Sequence, residues 1–224
     1  QVGDFDSAGF FAEHYSTLPE PDCGEVVCTQ TLLGVMGNLS DGEPCTLLQV
    51  GLNSPLVADP SERPPLTLSV VVDTSGSMRS DEKISFVRDG LQYLIDALHD
   101  DDQVSLVNYS DNAEVIFEMS EIGDNRSALR EIVQSLQASG GTNLYEGLER
   151  GFLEVVGHYD SGRQNRVIIL SDGQPTAGIT DISSIMAMSS AYNSEGIGLT
   201  TVGLGTDFNV TLMSGLAEQA DGNY

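Results

Sequence analysis

A chain of 224 residues, 40% of them hydrophobic, suffices for one substantial core with a small appendage at most. Its formal charge of −25, from 34 acidic against 9 basic residues, repels phosphate backbones and anionic lipid surfaces, whose capture relies on Lys and Arg displacing counterions. With no run approaching the ~18 to 20 apolar residues of a membrane span, nucleic-acid binding and direct membrane insertion are both set aside.

Residues 1–62 are rich in Gly, Pro, Asp and Ser and hold two short β-like runs, Thr31 to Met36 and Cys45 to Leu52. They predict a β-rich appendage. The three cysteines, Cys23, Cys28 and Cys45, all fall here, where an oxidising compartment would staple a segment with little core of its own. The arithmetic is one disulfide and one leftover thiol, with the pairing open. The Cys23 to Cys28 spacing does not suit a redox Cys-x-x-Cys, and no histidine lies close enough for a zinc module. A start at Gln1 rather than methionine fits removal of a leader, and with the cysteines it points to an extracytoplasmic setting.

Arg63-Pro64-Pro65 breaks the pattern, because proline restricts itself and the residue before it. Beyond it, residues 63–224 alternate strand and helix. Leu66 to Val72 is a near-continuous apolar run, as expected of a strand covered on both faces. A helix follows over about Asp81 to Leu98, with Ile84, Val87, Leu91, Leu94, Ile95 and Leu98 on one side. Val104 to Tyr109 and Glu114 to Phe117 are too close for a crossover and predict an antiparallel hairpin. Helical spacing returns at Leu129 to Leu136, stops at Gly140-Gly141 and resumes from Leu144 to Val155. Val167 to Leu170 is a second strand expected to be fully buried. Asp181 to Tyr192 is helical, Leu199 to Leu204 a strand, and Val210, Met213, Leu216 and Ala217 mark a last helix. The fold class is α/β: a doubly wound, mostly parallel sheet with one antiparallel strand, flanked by helices.

Asp73, Ser75 and Ser77 follow the first buried strand, so they emerge at the carboxyl edge of the sheet, where open α/β folds bind ligands. Asp172 ends the second buried strand and emerges at the same edge. Thr142 follows two glycines at a helix start. Two carboxylates and three hydroxyls, with no nitrogen or sulfur, form a hard-oxygen set for a divalent cation, Mg²⁺ first, with Mn²⁺ or Ca²⁺ open. Alanine at Asp73 or Asp172 is expected to spare the fold, both side chains projecting from strand ends.

Asp73-x-Ser75-x-Ser77, Thr142 and Asp172 resemble, position for position, the metal-ion-dependent adhesion site of von Willebrand factor A (VWA) domains. The resemblance spans roughly residues 64–224 and includes Asp102 to Asp111 and Gly140 to Leu144. It implies a Rossmann-like fold, direct ligation by Ser75 and Ser77, ligation by Thr142 directly or through water, and ligation by Asp73 and Asp172 largely through water. It also implies a protein partner that offers an Asp or Glu carboxylate to the ion's open position. Tyr109 stands where the family commonly has Phe, leaving a hydroxyl to satisfy. Asp221 to Tyr224 resembles the lead-in to the family's last strand and helix, so the expectation is a domain lacking those elements within a longer chain. The N-terminal segment resembles the region before Arg-Pro-Pro in secreted bacterial members.

The reading is thus an extracytoplasmic adhesion or assembly module and not an enzyme. His14, His99 and His158 lie outside the motif, and no Gly-x-Ser-x-Gly, His-Glu-x-x-His or phosphate-cradling loop occurs. The alternatives are a cytoplasmic module serving an ATPase in metal insertion or complex remodelling, and a metal-dependent hydrolase. Asn38, Asn108, Asn125 and Asn209 head glycosylation-type triplets that carry little weight.

Overall fold

The computed structural model describes residues 23–37, 43–54, 63–172, 175–205 and 209–219. They fall into two compact units that divide between Arg63 and Pro64. His14, Asn38, Gly173 and the Asp221 to Tyr224 stretch lie outside the described residues.

The first unit is an antiparallel ribbon of β1 (Cys28–Gly37) and β2 (Pro44–Asn53), registered from Cys28 opposite Asn53 to Gly37 opposite Pro44. Cys23 and Cys28 are disulfide-bonded and Cys45 is the free thiol, which resolves the pairing left open by the sequence. Leu32, Leu33, Val35, Leu48 and Val50 are all exposed, so the ribbon buries little of its own apolar surface.

The second unit carries a five-stranded mixed sheet in the order β5-β4-β3-β6-β7. It comprises β3 (Leu66–Asp73), β4 (Gln103–Tyr109), β5 (Ala113–Glu121), β6 (Gln164–Ser171) and β7 (Gly198–Gly203). Only β5 runs antiparallel, paired to β4 through the expected tight hairpin. The central strand β3 is buried at every position after Leu66, because its alternating side chains enter two different cores. Val70 and Val72 pack with α1 (Lys83–Ala97) and α2 (Ile122–Ser135) through Val87, Leu91, Ile95 and Leu129. Val71 packs on the other face with α3 (Leu144–Gly157), α4 (Ile182–Ser194) and α5 (Val210–Glu218) through Leu148, Phe152, Ile185 and Leu216. This two-sided burial is what the uninterrupted apolar run encodes.

Two sequence expectations change. Helix α1 starts at Lys83 because Gly76–Glu82 is a 3₁₀ turn, in which Asp81 and Glu82 take left-handed φ of 53° and 56°. Met78, fully buried, pins that turn to the core. Strand β6 is fully covered on one face and partly on the other: Val167 and Ile169 are buried, whereas Ile168 and Leu170 are half-buried against the second core. The buried residues of that second core come from β3 and β4 rather than β6, so the layer thins toward the β6 side.

Asn108 lies inside β4, and Asn209 caps α5 by accepting a hydrogen bond from the Leu212 amide. No helix of the described residues is long and apolar enough to cross a membrane.

Candidate metal centre

Parallel pairing of β3 with β6 brings Asp73, the last residue of β3, and Asp172, just after β6, to one edge of the sheet. Backbone hydrogen bonds then stitch the neighbouring loops together. The Thr74 amide donates to the Tyr109 carbonyl at 2.8 Å, and the Ser139 amide to the Thr74 carbonyl at 2.6 Å. The Gly76 amide donates to the Gly140 carbonyl at 2.9 Å, which draws the loop bearing Thr142 against the loop bearing Ser75 and Ser77. Gly140 has φ +79°, and a Cβ there would stand 2.6 Å from the Asp111 carboxylate, so glycine is what permits this approach. The Asp111 Oδ1 accepts from the Gly141 amide at 2.9 Å and fixes the turn. Thr142 is buried and its carbonyl accepts from the Thr176 and Ala177 amides.

Asp73 is fully buried and its carboxylate accepts three hydrogen bonds. Oδ1 accepts from the Ser75 amide at 2.8 Å; Oδ2 accepts from the Ser171 hydroxyl at 2.8 Å and the Tyr109 hydroxyl at 3.3 Å. Ser75 and Ser77 bring their hydroxyl oxygens within 3.0 Å of each other, Ser75 buried and Ser77 exposed. Asp172 is 4% exposed; its Oδ2 lies 3.3 Å from the Lys83 ammonium, while its Oδ1 is buried without a hydrogen-bond partner among the described residues. The Asp172 carbonyl accepts from the Asn209 amide at 3.2 Å, tying the site to the start of α5. The two carboxylates are therefore not free strand-end projections: Ser75, Tyr109 and Ser171 hold Asp73, and Lys83 stands against Asp172.

Burial raises the Asp73 carboxyl above the ordinary carboxylate value; the Ser75 and Ser171 donors pull it partly back, and the neighbouring charge of Asp172 adds to the rise. Burial, and then the Asp73 charge, push the Tyr109 phenol well above its usual value. Two carboxylates kept out of water beside each other fit a cation-holding role, since an ion offsets both the desolvation and the repulsion. The unpartnered Asp172 Oδ1 and the Ser75–Ser77 hydroxyl pair add acceptors suited to a hard divalent ion. No cluster of three or more His, Cys, Asp or Glu side chains is placed for a metal among the described residues, so any ion here depends on the hydroxyls.

Tyr109, whose hydroxyl the sequence left to be satisfied, finds its acceptor in Asp73. Two contributors escaped the sequence reading, Ser171 and Lys83, and Ser171 only extends the strand pattern. Lys83, the sole lysine, carries the one signal that could have been used: a single ammonium in a chain of charge −25.

The fold and the site define an α/β domain whose buried polar side chains gather at the carboxyl edge of a mixed sheet. Residues 68–174 match the sequence model of the von Willebrand factor type A domain. The uncharacterized protein YfbK of Escherichia coli (strain K12) is 31% identical over 164 residues, a match that takes in 73% of this chain and 28% of that protein. The chain thus spans under a third of that relative. Among solved structures, a von Willebrand factor type A protein from Catenulispora acidiphila superposes with a TM-score of 0.63 at 18% identity, covering 79% of this chain and 40% of that one. Proximal thread matrix protein 1 from the mussel byssus, described with a zinc-occupied MIDAS motif, superposes at 0.60 with 20% identity, covering 71% and 43%. The family match and the shared fold support placing the α/β unit among VWA domains, a family that suggests a protein-interaction module.

Proposed function

We propose that this α/β unit is an extracytoplasmic protein-binding module of the bacterial secreted type, with an intact adhesion site that holds a divalent cation and receives an acidic residue of a partner protein. The observation that carries this reading is the buried, unpartnered Oδ1 of Asp172 beside a desolvated Asp73 and the Ser75–Ser77 pair. Leaving such an acceptor unmet costs about 1 to 3 kcal/mol, which a cation or its bound water would relieve. Ser75, Ser77 and Thr142 supply hydroxyls, and Asp73 and Asp172 supply charge. A partner's Asp or Glu completes the coordination, a binding rather than catalytic role. Mg²⁺ is the expected ion, with Mn²⁺ and Ca²⁺ as competitors. The zinc-occupied motif of the mussel protein lends support to metal binding on this fold, and the Cys23–Cys28 disulfide supports an oxidising compartment.

The test is calorimetric titration of the chelated, desalted chain with Mg²⁺, Mn²⁺ and Ca²⁺, beside Asp172→Asn. One saturable site lost in the variant supports the reading. Only diffuse binding to the acidic surface overturns it.

A further inference from the structure

Resting on that cation-binding reading, we infer that Lys83 is a built-in counter-charge that weakens the grip on the cation and so keeps the loaded site positive enough to attract an acidic partner. Lys83 opens α1 directly after the turn that carries Ser77, and its Nζ lies 3.3 Å from Asp172 Oδ2 with the side chain 9% exposed. The seat is shaped for it: a Cβ at Gly205, where φ is +86°, would fall 2.6 Å from the lysine Cε, so a bare glycine leaves room for the stem. The ammonium engages one oxygen of Asp172 and leaves the other, Oδ1, buried and unmet.

The charge balance follows directly. Asp73 and Asp172 bring two negative charges and Lys83 returns one. A divalent cation on the two carboxylates alone would leave a neutral centre, with no excess charge for an incoming carboxylate. With Lys83 in place the loaded centre keeps one positive charge, which matters for a chain of net −25 whose long-range field opposes an acidic partner. The same ammonium repels the cation through a desolvated path, so it lowers cation affinity.

A mere scaffold role for Lys83 predicts the opposite, because losing the contact would loosen Asp172 and weaken metal binding. The experiment titrates Mn²⁺ by calorimetry into the full chelated chain as wild type, Lys83→Met and Lys83→Arg, with circular dichroism to confirm folding. It then follows acetate binding to each Mn²⁺-loaded protein by water-proton relaxation. Lys83→Met should bind Mn²⁺ more tightly, on the order of ten-fold or more for a like charge removed from a partly desolvated site, and should bind acetate more weakly. Lys83→Arg, which keeps the charge, should stay near wild type in both. Unchanged or weaker Mn²⁺ binding by Lys83→Met, or an arginine variant that behaves like the methionine one, overturns the inference while leaving the cation site standing. A wild-type chain with no saturable Mn²⁺ site removes the proposed function itself, and the inference with it.

Discussion

The hydroxyl of Tyr109, at the end of β4, reaches Oδ2 of Asp73, at the end of β3, at 3.3 Å in a fully buried setting. The parallel register sets these two residues side by side, so a strand residue becomes part of the acidic centre. Its ring also fills the space left by Gly147, where a Cβ would sit 2.6 Å from Cδ1.

Tyr109→Phe keeps that ring and removes only a long hydrogen bond, with the Ser171 donor still on the same oxygen. The expected cost is about 1 kcal/mol or less, with cation binding retained. Urea unfolding of the chelated protein checks it, and a loss of about 3 kcal/mol would show the hydroxyl to be structurally indispensable.

Asp73→Asn separates function from stability. The folded carboxyl titrates above its unfolded value because of burial. Its contribution to stability is therefore fully present below the unfolded value and lost as pH rises through the folded one. Chelated Asp73→Asn should match or exceed wild-type stability at pH 7, with its advantage shrinking as the pH falls into the carboxylate range, while cation binding is lost. Lower stability of the variant at pH 7 would reject this electrostatic account. Asp73→Ala is different: it removes the acceptor of the Ser75 amide and of the Ser171 and Tyr109 hydroxyls, which should cost about 1 to 3 kcal/mol with the fold kept.

Two glycines in helices should respond to alanine with opposite signs. At Gly151 in α3 a Cβ would lie 2.4 Å from Val71 Cγ2 on the central strand, so Gly151→Ala should lose about 1 to 3 kcal/mol through overpacking, set against a helix-propensity gain of roughly 0.5 to 1. At Gly90 in α1 nothing stands within 4 Å, and Gly90→Ala should gain roughly 0.5 to 1 kcal/mol. Thermal unfolding of both variants reads the signs; a stabilised Gly151→Ala would mean that α3 does not seat this closely on β3.

Thiol titration checks the compartment argument. Unreduced protein should show one reactive thiol, Cys45, and reduced protein three, because Cys23 and Cys28 are bonded. Three thiols in freshly isolated protein would favour a reducing setting instead.

The succession of strands and helices was legible in the sequence, since periodicity and flanking residues are local signals, and motif spacing at strand ends marked Asp73, Ser75, Ser77, Thr142 and Asp172 as candidates for the same reason. The sequence also marked α1 correctly as an amphipathic helix but not its first residue, for the left-handed pair Asp81 and Glu82 follows from how Met78 is anchored. The incomplete cover over Ile168 and Leu170 and the burial of Asp73 were decided by packing, and the disulfide partner of Cys28 shows only in the structure. Above all, only the tertiary structure set the Lys83 ammonium on Asp172, 89 residues away along the chain. A contact of that span depends on how α1 and β6 each dock onto the sheet, and no pattern confined to either segment carries that information.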